Sequence, residues 1–142
     1  MGAVLGLDYG TSRIGIAVSD PTRTLATAVA VHRAGRDGPV AAFVGALARE
    51  RGVDQLVVGL PLTADGRMGE IAERAKHFAE KLGEDLGLPV ALVDERYSTQ
   101  EAERLLRGPG RKRSREAPDA VAAELILQQY LDAADPGREG AP

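Results

Sequence analysis

Apolar residues come in short unbroken runs near the start of the chain and in helical stripes further on. Val4 to Leu7 is apolar apart from one glycine, and Ile14 to Val18 is apolar again. Runs of this kind predict strands covered on both faces. Gly10-Thr11-Ser12 between them is turn material, so strands at about 3–9 and 13–19 pair antiparallel. Asp20-Pro21-Thr22-Arg23 makes a second turn. Residues 25–31 alternate small and branched apolar side chains and predict a third strand.

Pro39 then opens a helix where its missing N–H does no harm. Val40, Phe43, Val44, Leu47 and Ala48 follow the spacing of one apolar stripe, and Gly52 ends it. Leu56-Val57-Val58-Gly59 predicts a short buried strand. Ile71, Ala75, Phe78, Ala79, Leu82 and Leu86 mark the inward face of a second helix closed by Gly87. Val90-Ala91-Leu92-Val93 is the next strand. Strand, helix and strand at this spacing form crossover units, which need a parallel sheet. Ser98-Thr99-Gln100-Glu101 is a capping box for a short helix to about Arg107. Pro118 marks a last helix running through Leu131. The predicted fold is α/β: a five-stranded mixed sheet, three antiparallel strands followed by two parallel ones, with helices on both faces.

The 142 residues suffice for one domain, residues 1–135, with 136–142 a small polar tail expected to be disordered. A net charge of −3 gives no global basic field, so nucleic-acid binding would need a local patch. The absence of cysteine excludes disulfides, thiolate metal sites and a cysteine nucleophile. With two histidines only, a metal would be held by oxygen ligands, which points to magnesium or manganese. No apolar run is long enough to span a bilayer and no signal-peptide pattern opens the chain, so a cytoplasmic protein without a membrane partner is expected.

Three acids sit in unusual places. Asp8 ends the first strand, where valine would be ordinary and a buried charge costs free energy unless paired or holding a metal. Asp94-Glu95 ends the last strand. If the two strands are parallel neighbours, both sites share the carboxyl edge where open α/β sheets bind ligands. Alternation puts Asp94 and Glu95 on opposite faces and leaves the choice between them open. Asp119 lies in the first turn of the last helix and shares the face of Ala122, Ala123, Ile126, Leu127 and Tyr130. Taken singly, Asp119 suits a helix N-terminus, and Asp94 could bond turn amides. Together, converging carboxylates repel unless cations lie between them. Two hard metal ions so held suit phosphodiester hydrolysis.

The surroundings fit phosphate chemistry. Gly10, Thr11 and Ser12 offer amides and hydroxyls beside Asp8, a candidate anion nest. Arg13 is a candidate phosphate contact. The basic stretch before Asp119 contributes Arg111, Lys112, Arg113 and Arg115, a flexible arm that would bind nucleic acid in a salt-sensitive way. His32 and His77 read as structural or surface residues.

With these residues in place, the chain resembles the YqgF family over nearly its whole length. The match lies in Leu5-Gly6-Leu7-Asp8-x-Gly10-x-x-Arg13-Ile14-Gly15, Val58-Gly59-Leu60-Pro61, Asp94-Glu95-Arg96 followed by hydroxyl residues, and Asp119 with Ala122-Ala123 and Ile126-Leu127. The family is also called RuvX, Holliday-junction-resolvase-like proteins or pre-16S rRNA nucleases. The resemblance implies a ribonuclease-H-like fold and a nuclease dependent on Mg2+ or Mn2+, with two ions expected. It implies Asp8, Glu95 and Asp119 as the metal-binding, catalytic carboxylates. Tyr97-Ser98-Thr99 stands where the family usually has leucine and two hydroxyls. The implied role is maturation of the 5′ end of 16S rRNA, with resolution of branched DNA the older alternative. A monomer and a homodimer both stay open.

Two other readings differ in class. Asp8-Tyr9-Gly10-Thr11-Ser12 also resembles the phosphate loop of actin-like ATPases and sugar kinases, but those need a second lobe for which this chain has no room. No ATP binding is expected. A non-catalytic RNA-binding module of the same fold would bind RNA without turnover.

Overall fold

The computed structural model describes residues 2–61, 67–95 and 120–134, with Glu95 described by its backbone alone. The predicted capping box and helix at 98–107, the basic stretch, Asp119 and the tail lie outside these residues.

Strands β1 (Ala3–Asp8), β2 (Arg13–Ser19) and β3 (Ala26–Arg33) come first. Helix α1 (Val40–Arg51), strand β4 (Val53–Pro61), helix α2 (Glu70–Leu86) and strand β5 (Val90–Glu95) follow. Helix α3 (Val121–Ala134) closes the described chain. The five strands form one sheet in the order β3-β2-β1-β4-β5. β1–β2 and β2–β3 are antiparallel, while β1–β4 and β4–β5 are parallel. The expected mixed sheet is therefore present. β4 lies between β1 and β5, so the strands ending in Asp8 and Asp94-Glu95 share an edge without being neighbours.

Alternation along β1 divides the core in two. Leu5 and Leu7 point to α1 and α2, joining Ile16, Val18, Val44, Leu56, Val58, Ala79 and Leu82. Val4 points to the other face, joining Ala17, Val57, Ala123, Ile126, Leu127 and Leu131 under α3. Helices thus cover both faces. Both crossover helices end on glycines in the left-handed conformation, Gly52 and Gly87, which a side chain would strain. Pro39 is the N-cap of α1 rather than its first helical residue.

The inward stripe of α2 corrects one sequence expectation. Ile71 is 42% exposed, and Ala72 beside it is fully buried. The stripe runs Ala72, Ala75, Ala79 and Leu82; its three alanines bring the helix close to the sheet, and Ile71 turns outward.

At the amino edge of the sheet, Arg23 holds a left-handed backbone (φ 59°) and ties the turn down. Its Nε donates to the Gly2 carbonyl at 2.8 Å and its guanidinium pairs with Asp54. Asp20 caps the same turn, accepting from the amides of Thr24 and Leu25 at 2.8 Å each.

Candidate active site

Asp8 has the parity of Val4 and Gly6 and so faces α3. Its neighbours across the sheet are Gly15 on β2 and Gly59 on β4. A Cβ on Gly15 would lie 3.3 Å from the Ala120 Cα, and one on Gly6 only 2.8 Å from the Leu127 Cβ. These two glycines let α3 settle on β1 and β2 at close range. The start of α3, at buried Ala120, is thereby set over the row of the sheet that carries Asp8.

Asp8 is partly buried, and no described residue hydrogen-bonds or ion-pairs with its carboxylate. Burial pushes its pKa up from 3.8; the charge of Arg13 offsets only part of this. A carboxylate left this way at the end of a central strand destabilises the fold. It suits a hard cation better than any amine the described structure offers.

The other two carboxylates are less fully described. Asp94 is exposed and pairs in register with Leu60, on the α2 side of the sheet. Position 95 has the parity of Ala91 and Val93, which pack on the α3 side. Asp119 immediately precedes Ala120 and lies outside the described residues. Among the described residues no three acidic or histidine side chains group closely enough to hold a metal.

The turn after Asp8 lies where the sequence suggests. Gly10 is required there, because a Cβ would come within 2.5 Å of the Arg13 carbonyl oxygen. Thr11, Ser12 and Arg13 are exposed, and the Ser12 carbonyl accepts from the Ala34 amide at 2.9 Å. None of the three residues 10–12 takes a left-handed backbone. His32 is structural: it is buried, its Nε2 lies 2.7 Å from the Gly38 carbonyl, and its ring meets Phe43 edge-on. His77 is on the surface.

Two polar residues of α3 that the apolar pattern did not single out are buried. Glu124 Oε1 accepts from the Ala28 amide at 3.1 Å, and Gln128 Oε1 from the Ala26 amide at 2.9 Å. Gln128 also donates to the Thr24 carbonyl at 2.9 Å. Both reach the outer edge of β3, so α3 is fastened to the sheet at that edge as well as through the glycines. Their four-residue spacing places them on one side of a largely apolar helix.

The sheet order, the two helical layers and the partly buried acid at the carboxyl edge define a ribonuclease-H-like protein. The fold is that of Thermus thermophilus RuvC, which superposes with a TM-score of 0.62 at 16% identity over 97% of this chain and 96% of that one. The same protein in complex with a Holliday junction substrate superposes with a TM-score of 0.58 at 16% identity, over 94% of this chain and 95% of that one. More particularly, the family model described as "RuvX: Holliday junction resolvase" matches residues 2–133, and the chain belongs to that family of nucleases. A relative in Burkholderia ambifaria named "Putative pre-16S rRNA nuclease" is 47% identical over 91% of this chain and 88% of its own. One of the same name in Thermosynechococcus vestitus is 43% identical over 92% and 88%. Among the described residues no helix is long and apolar enough to cross a membrane.

Proposed function

We propose that this nuclease cleaves phosphodiester bonds in precursor 16S rRNA, maturing its 5′ end, with Asp8, Glu95 and Asp119 holding one or two Mg2+ or Mn2+ ions. The observation that carries this reading is Asp8 itself: a partly buried acid at the end of a central strand, with no hydrogen bond or ion pair to any described residue and its pKa raised despite the charge of Arg13. Such an acid fits a hard divalent ion. Strand parity favours Glu95 over Asp94 as its companion, and the seat of Ala120 beside Gly15 favours Asp119 as the third. Bound there, such ions would supply charge neutralisation at the phosphate and a water of lowered pKa. The chain's own residues would hold the ions, and Arg13 with the Gly10–Ser12 turn would orient the phosphate next to them.

The relatives' shared name supports this substrate; resolution of branched DNA is the second reading, favoured by the fold shared with RuvC. An RNA carrying the precursor 5′ extension and a four-way DNA junction, each incubated with Mg2+ or Mn2+, separate the two. The RNA should be cut at the mature end and the junction left intact. Asp8→Asn should abolish cleavage, and cleavage retained by that variant sinks the assignment. A second readout needs no substrate: Mn2+ should raise the Tm of the wild type and leave that of Asp8→Asn unmoved.

A further inference from the structure

A groove opens on the face of the sheet opposite Asp8. Tyr9 follows Asp8 and turns the other way, packing on the α1–α2 side. Its ring lies against Phe78 of α2, with centroids 5.1 Å apart. Two cavities meet there, sharing Tyr9, Val40 and Phe78. One of about 270 Å³ reaches the Gly10–Arg13 turn. The other, of about 380 Å³, continues along α2 past Arg74, His77 and Lys81.

The floor of this groove is aromatic and aliphatic, while its rim along α2 carries Arg74, His77, Lys81 and Asp85. Arg74 pairs with Glu70 at 3.0 Å and Lys81 with Asp85 at 3.4 Å, both exposed pairs one helical turn apart. Pairs of that kind are weak and readily exchanged for another anion. An apolar, aromatic floor with Arg74 and Lys81 above it suits a planar ring attached to a phosphate. Aromatic side chains bind unpaired bases through their faces, whatever the base. Tyr9 and Phe78 already touch, so the base would lie on their outward faces and not between them.

Position decides what kind of strand could use the groove. Asp8 and Tyr9 are adjacent in β1 but face opposite sides of the sheet. A strand serving both must bend over the carboxyl edge, across Gly10–Arg13. A single strand makes that bend easily; a duplex is stiff over such a length.

We propose that the Tyr9–Phe78 groove binds an unpaired nucleobase of the nucleic-acid strand whose backbone lies at Asp8, with the flanking phosphates on the Gly10–Arg13 turn and on Arg74 and Lys81. The inference rests on the nuclease reading above and adds that the substrate is single-stranded beside the cleavage position.

The test uses a single-stranded RNA oligonucleotide carrying 2-aminopurine, with the metal chelated so that the strand stays whole. Binding to the wild type should quench the probe. R74E/K81E, on exposed side chains, should weaken binding at low salt by about tenfold. Phe78→Leu should lose the quenching and weaken binding by about tenfold. Neither should weaken binding of a fully paired duplex of the same sequence. Both variants binding the single strand as the wild type does would overturn the proposal. Should Phe78→Leu fail to fold, R74E/K81E decides alone. The nuclease reading fails by a different sign, the absence of an Asp8-dependent Mn2+ shift in Tm; strand binding that still depends on the groove would then uphold the base site without it.

Discussion

The Asp8 carboxyl is partly buried, and the charge of Arg13 compensates for that only in part. Its pKa is raised by burial, so the folded chain holds that proton more tightly than the unfolded chain does. Stability from this group is therefore fully present below the unfolded value of 3.8 and lost as pH rises through the raised folded value. Without metal, Asp8→Asn should melt higher than the wild type at pH 7, and the gap should close as the pH falls toward 3. Thermal scans across that range measure it. Asp20 behaves in the opposite sense. Burial alone would raise its pKa, but hydrogen bonds from the Leu25 amide, the Thr22 hydroxyl and the Thr24 and Thr22 amides outweigh it, leaving the pKa at about 2. Its contribution is present above the unfolded 3.8 and lost as pH falls toward 2. Asp20→Asn should therefore be less stable than the wild type at pH 5, with the difference vanishing near pH 2. Asp8 was legible from sequence because strands rarely carry aspartate. The consequence of its burial, and the number of amides that Asp20 collects, depend on contacts that residue type does not reveal.

Among the elements, α3 bears on the site most directly. It rests on Gly6 and Gly15 and is fastened at β3 by Glu124 and Gln128. Gly6→Ala puts a methyl group 2.8 Å from the Leu127 Cβ, so the helix must lift. The expected cost is about 1–3 kcal/mol in urea unfolding, with a loss of cleavage greater than the loss of folded protein. Glu124→Met removes the acceptor of the Ala28 amide and should cost about 1–3 kcal/mol; Glu124→Gln keeps an acceptor and should cost less. The apolar face of α3 could be read from its spacing, as could α1 and the strands. The buried Glu124 and Gln128 could not, because their partners lie about a hundred positions away in the chain. The place of β4 between β1 and β5 was hidden for the same reason: hydrophobic runs predict strands but not which strands become neighbours. Ile71 misled because a helical stripe drawn by hydrophobicity prefers isoleucine to the adjacent alanine, whereas close packing preferred the alanine.

For the molecule as a whole, a net charge of −3 means that nucleic acid must be attracted locally. Affinity for single-stranded RNA should fall steeply with salt. Replacing Arg111, Lys112, Arg113 and Arg115 by glutamine should lower the slope of log K against log salt by about three. An unchanged slope would remove the basic stretch from the binding surface. The fastening of α3 also affects how copies of the chain behave toward one another. β3 is an outer strand, and outer strands invite a foreign strand to continue the ladder. Here the amides of Ala26 and Ala28 are already taken by Glu124 and Gln128, so that stretch of the border has no donors left to offer. A chain stripped of both side chains would be expected to zip onto its own kind and come out of solution when concentrated, even if each copy still folded.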